Sequence, residues 1–148
     1  MSLKDRILDD VKSALRARDK PRLGTLRLVT AAIKQREVDE RITLDDDQVV
    51  AVLEKMAKQR RESIDQFERA GRNDLVATES AELELIRTYM PEPIDLAALT
   101  GLVDSALVES GAKSMRDMGK VMGILKPRVQ GRADMSQVSA LVKSRLGS

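Results

Sequence analysis

The chain has no histidine, no cysteine and no tryptophan, and Phe67 and Tyr89 are its sole aromatic residues. Without cysteine there is no disulfide and no thiolate-bound metal, which fits a reducing compartment. Without histidine the commonest general base and zinc ligand are missing, and Ser-His and Cys-His catalytic pairs are excluded. Sheet proteins lean on aromatic and β-branched residues, and no segment alternates with period two, so no sheet is expected. The apolar runs are a few residues long, too short to span a bilayer, so no membrane partner is expected. Met1-Ser2-Leu3-Lys4-Asp5 holds no apolar signal core and reads as a helix start. A soluble cytoplasmic protein is the resulting expectation.

What is present is helix-forming. Leu, Val, Ala, Ile and Met dominate a chain of 148 residues, enough for one full core or two small helical units. The net charge is +2, but its distribution is uneven. Residues 94–148 hold eight bases and five acids, net +3, whereas residues 1–93 hold eighteen bases and nineteen acids, net −1.

Periodicity predicts seven helices. Ser2, with Asp5 three residues on, starts the first, which places Leu3, Ile7, Leu8, Val11, Ala14 and Leu15 on one apolar face and ends near Arg18. Pro21 suits the first turn of the second. Its stripe of Leu23, Leu26, Val29, Ala32 and Ile33 is widened by Leu28 and Ala31, as in a helix packed on more than one side. Thr43 with Asp46 starts a long third helix. Gly71 ends it, and Asn73 caps a fourth. Met90-Pro91-Glu92-Pro93 cannot continue a helix. The expected organisation is all-α: a helical N-terminal domain over 1–90, a linker at 91–93, and a small three-helix domain over 94–148. In the second domain Asp95, Ser114 and Asp134 mark the helix starts.

Two charged groups invite a chemical reading and favour a structural one. Lys55, Lys58, Arg60 and Arg61 read as a solvated helix face flanked by acids. Glu79, Glu82 and Glu84 are close enough to suggest metal binding or acid–base work, but no other ligand type accompanies them. No metal and no cofactor is therefore expected.

The most unusual stretch is Lys113 to Arg132. It holds six bases and one acid, Asp117, for a net +5. Gly119 and Gly123 sit four apart within it, Pro127 follows, and Gly131 opens a turn. Gly119-Lys120-Val121-Met122-Gly123 is not a Walker loop, because no strand precedes it and no Gly-Lys-Ser/Thr closes it. The glycines suit close approach of another backbone or of a ligand, and the bases suit phosphate. Arg116, Lys120, Lys126, Arg128 and Arg132 are the candidate nucleic-acid contacts, with Gly119, Gly123 and Gly131 as close-approach positions. Without aromatics in this region, RNA would be read by shape and backbone. The residues alone leave open that these charges merely keep a small domain soluble. No catalytic residue stands out: Ser114 beside Lys113 reads as a helix cap rather than a nucleophile.

Gly119 to Gly123, Gly131-Arg132-Ala133-Asp134 and Val138 to Lys143 resemble the YqeY family. They are also similar to the tail domain of the B subunit of the glutamyl-tRNA(Gln)/aspartyl-tRNA(Asn) amidotransferase. Leu26-Arg27-Leu28 with Ala31 to Lys34, Lys58 to Ser63, Phe67 to Arg72, and Ala81 to Glu84 before Tyr89-Met90-Pro91 extend the resemblance over nearly the whole chain. The resemblance implies an accessory tRNA-binding module. It also implies, by association, a carbon–nitrogen ligase that uses glutamine as amido donor. No amidase or kinase domain is present, so such activity would belong to a complex. tRNA and an aminoacyl-tRNA-related enzyme are the implied partners. The alternative is a helical protein-interaction module that docks on an enzyme without binding RNA.

Overall fold

A computed structural model describes residues 1–147. Among them are seven α-helices, one 3-10 turn and no strand. The helices are α1 (Leu3–Arg16), α2 (Lys20–Glu40), α3 (Asp46–Arg69), α4 (Asn73–Arg87), α5 (Leu96–Ser110), α6 (Met118–Val129) and α7 (Met135–Leu146). They form two compact units that meet in sequence between Met90 and Pro91.

In the first unit, α1 and α2 form one antiparallel hairpin and α3 and α4 another. The registers are visible in the ion pairs that bridge each hairpin. Lys4 at the start of α1 bonds Glu37 near the end of α2 at 2.8 Å. Arg60 of α3 bonds Glu82 of α4 at 3.1 Å and lies 3.9 Å from Glu79. Two of the three grouped carboxylates, Glu79 and Glu82, are thus drawn to Arg60 as a bridge between helices. Among the described residues no cluster of acids has the makings of a metal site. The core is Ile7, Leu26, Val29, Ile33, Val49, Leu53, Met56, Leu83 and Ile86 with their neighbours.

Several local expectations shift. Asp45, not Thr43, caps α3, and it exchanges hydrogen bonds with Gln48 in a full capping box. Asp46 turns instead to α1, where its carboxylate accepts from the Leu3 amide at 2.9 Å. Asn73 is the first residue of α4 rather than its cap, and Arg72, which precedes it, makes no side-chain cap bond. Leu8 and Leu15 are 41% and 56% exposed, outside the core expected of them, and Leu28 is 47% exposed on α2.

Tyr89 anchors the end of this unit. Its ring is buried, its hydroxyl donates to Asp10, and the Arg6 guanidinium lies 5.0 Å from its centroid. Burial, then the Asp10 carboxylate, push the phenol from its usual 10.0 up to about 12. The folded state therefore holds this proton more tightly than the unfolded chain does. That stabilisation is complete below pH 10 and is lost as pH rises through about 12. Thermal unfolding followed from pH 9 to pH 12 should show a falling midpoint in the upper part of that range, and Tyr89→Phe should flatten the fall.

In the second unit, Leu99, Val103 and Ala106 of α5 meet Val121, Leu125 and Val129 of α6 and Val138, Val142 and Leu146 of α7. Asp95 caps α5 through the Ala98 amide at 2.7 Å, and Gly111 ends it in a left-handed conformation at φ +66°. Asp134 caps α7 through Ser136. Leu96, the first residue of α5, is 61% exposed. The segment after Pro93 is tied in by the backbone: the Ile94 amide donates to the Arg132 carbonyl at 2.8 Å.

Candidate nucleic-acid interface

The charged stretch forms a 3-10 turn, Met115–Asp117, followed directly by α6. Ser114 makes no side-chain cap bond, contrary to the cap expected of it. Asp117 does the local work instead. Its carboxylate accepts from the Lys113 amide at 3.0 Å. That bond, helped by the Ser114 amide and by Lys120 and Lys113 nearby, holds its pKa below the usual carboxylate value. The single acid in the stretch is thereby turned toward its own backbone.

The apolar side of α6 is Val121, Leu125 and Val129, all buried, with Met118 and Met122 packed partly against them. The opposite side holds Gly119, Gly123 and Pro127, all exposed. Their spacing of four brings them into one shallow stripe. Lys126 flanks it on one edge and Lys120 on the other. A Cβ added at Gly119 or Gly123 would meet nothing within 4 Å. Neither glycine therefore serves close packing against another element of this chain. Gly24 and Gly101 are open in the same way, so what distinguishes Gly119 and Gly123 is their pairing one turn apart between two lysines.

Pro127 lies inside the helix, in its last turn. It has no N–H for the Gly123 carbonyl, and its ring crowds that carbonyl. Glycine at 123 gives the backbone there room to adjust. Sequence reasoning treated Pro127 as punctuation and missed its place on the exposed stripe. The repeat of four through 119, 123 and 127 was the available signal.

The five candidate bases do not form one patch. At about 100° per residue, Lys126 and Arg128 project from nearly opposite flanks of α6. Arg128 pairs with Glu109 of α5 at 2.9 Å. Arg132 donates from Nε to the Glu92 carbonyl at 3.1 Å, binding the segment before α5 to the turn after α6. Both remain exposed at the surface, but both have internal work. Arg116, Lys120 and Lys126 are exposed, and among the described residues none of them forms an ion pair or side-chain hydrogen bond. Gly131 is buried at φ +73°, a conformation that favours glycine. Its role is the turn itself, not approach by a ligand.

The YqeY-like family model matches residues 4–146. The chain belongs to the YqeY-like family. It is also similar to fungal proteins named "Altered inheritance of mitochondria protein 41, mitochondrial". The one from Pyrenophora tritici-repentis is 32% identical over 146 residues, which covers 97% of this chain and 80% of that protein. The one from Vanderwaltozyma polyspora is 28% identical over 144 residues, covering 92% and 77%. With the Eremothecium gossypii protein identity reaches 43%, over 82 residues that make up 55% of this chain and 45% of that protein. The family resemblance thus runs through both units.

These names correct the cytoplasmic expectation, because they place the relatives in mitochondria. That expectation rested on missing features. Among the described residues no helix is long and apolar enough to cross a membrane. Such a property is shared by proteins of many compartments and selects none of them.

Proposed function

We propose that the second unit is an accessory tRNA-binding module, related to the tail of the glutamine-dependent tRNA amidotransferase. The observation that carries this reading is the α6 stripe. Gly119, in the first turn of α6, and Gly123, in its interior, lie open to solvent between Lys120 and Lys126, and no neighbouring element packs against either. In the helix interior such a glycine costs about 0.8–1.0 kcal/mol against alanine, which applies to Gly123, and the cost is smaller in the first turn, where Gly119 lies. A partner surface that must come close to the α6 backbone explains the cost, and flanking cations suit a phosphate chain. Arg116, Lys120 and Lys126 are the primary contacts, while Arg128 and Arg132 join only by leaving or sharing their internal partners. Catalysis of amide formation, with glutamine as amido donor, belongs in this reading to a partner enzyme.

The test is tRNA binding measured across salt concentration. Between about 50 and 200 mM salt, three phosphate contacts should cost about 40-fold in affinity and five about 500-fold. Binding that ignores salt, or no binding, refutes the proposal. A second measurement separates function from fold. Gly119→Ala should raise unfolding stability by at most about 1 kcal/mol, whereas Gly119→Gln should weaken tRNA binding about tenfold, or 1.4 kcal/mol, without unfolding the helix. Unchanged tRNA affinity in the glutamine variant would remove the glycine stripe from the interface.

A second reading, docking on an enzyme without RNA, is favoured by the exposed apolar residues Val108 and Met115, 82% and 45% accessible on either side of the Gly111 turn. Under that reading Val108→Glu abolishes capture of the enzyme, and reversal of the α6 lysines leaves it intact.

A further inference from the structure

The first unit carries a feature that tRNA binding by the second does not use. The Leu26 to Lys34 segment of α2 buries Leu26, Val29 and Ile33. Its alternate positions Arg27, Thr30, Ala31 and Lys34 line a cavity of about 530 Å³ against Lys4 and Leu8 of α1. Ile33 reaches its floor. Leu8 is 41% exposed there, and Leu15, two turns further along the same side of α1, is 56% exposed. Leu8 and Leu15 thus add exposed apolar surface along α1, on the side where Leu8 lines the cavity.

The charges around this groove are unbalanced. Glu37 is its one acid, and it is already engaged. Lys4 and the Leu44 amide both donate to it, at 2.8 Å and 2.9 Å. Among the described residues, Arg27 and Lys34 form no ion pair and no side-chain hydrogen bond. An apolar floor thus lies between Arg27 and Lys34, neither in an ion pair, with Lys34 attracted to Glu37 only at longer range. RNA would use such cations but not an aliphatic floor, since a phosphate chain gains nothing from aliphatic contact.

We propose that the α1–α2 groove is the docking site for an acidic amphipathic helix of a partner protein. Its apolar residues would seat on Leu8, Ala31 and Leu15, and its carboxylates would meet Arg27 and Lys34. The run from Lys4 to Leu15 is about 16 Å long, which matches about three helical turns. Such a ligand presents leucines at i, i+4 and i+7 with glutamates along both edges. The proposal concerns the first unit alone and stands or falls separately from tRNA binding.

The test uses the full chain and a synthetic three-turn peptide with that pattern of leucine and glutamate. A control peptide carries lysine in place of each glutamate. Anisotropy should show the glutamate peptide binding at least about tenfold more tightly than the lysine peptide. Amide NMR shifts on binding should centre on Leu8, Ala31 and Lys34. Arg27→Glu with Lys34→Glu should reverse the preference, and Ala31→Gln, which fills the groove, should weaken both peptides. All three substitutions fall at exposed positions, and circular dichroism confirms that the fold is kept. The proposal is overturned by absence of binding up to about 1 mM peptide, by equal affinity for both peptides, or by shifts that map elsewhere. It is overturned equally if tRNA, or a second copy of this chain, occupies the groove and perturbs the same amides.

Discussion

Leu125→Ala is expected to unfold the second unit while the first stays folded. Leu125 is fully buried at the centre of a core built from α5, α6 and α7. Truncation of a buried leucine to alanine costs about 2–5 kcal/mol, from lost transfer energy and the cavity left behind. A lone core in fewer than about 70–80 residues rarely supplies more than about 3–5 kcal/mol. The substitution therefore removes most or all of what holds this unit together. The core of the first unit, from Ile7 to Tyr89, shares no residue with it. Denaturant unfolding followed by circular dichroism should show the α5–α7 helical signal gone or nearly gone in water, with the remaining signal lost at its usual midpoint. A single transition displaced by less than about 1 kcal/mol would contradict this account of the core.

Charge reversal on α6 should have the largest effect on binding. Lys120→Glu with Lys126→Glu replaces attraction by repulsion on both edges of the glycine stripe. tRNA affinity should fall about 10- to 100-fold at low salt, and the slope of log affinity against log salt should lose about two units. Arg128→Glu should do less to binding and more to the fold, because it sets two carboxylates, its own and that of Glu109, against each other where an ion pair stood. Equal losses of tRNA affinity in the two variants would mean that Arg128 leaves Glu109 to reach RNA, and the contact set would have to be redrawn. Both proteins remain folded by circular dichroism if the effects are those of the interface.

The helices themselves were legible because each needs only its own residues. Apolar positions at spacings of three and four, with Ser2, Asp95 and Asp134 at their starts, determine where α1, α5 and α7 begin and which side turns inward. Caps failed where a carboxylate had a choice. Asp46 could close its own helix or reach the Leu3 amide 43 residues away, and local spacing cannot rank those two. Asp45 takes the local cap that Asp46 leaves. The apolar face of α1 was legible in kind but not in width. Ile7 and Ala14 point at the core, while Leu8 and Leu15, equally apolar, fall beyond the reach of the neighbouring helices.

The candidate site divides along the same line. A net +5 between Lys113 and Arg132 follows from composition and needs no fold. Which of those charges is available does not. Arg128 is drawn to Glu109 on another helix, and Arg132 to the Glu92 carbonyl before α5, so both depend on partners distant in the chain. Gly119 and Gly123 were readable as places for close approach, but a glycine pattern is the same whether another helix of the chain fills the gap or nothing does. Residue order specifies helical period, chain breakers and charge, because these act over a few residues. Packing specifies which leucine is wet, which arginine is engaged and which glycine lies bare, because these depend on what the fold brings alongside.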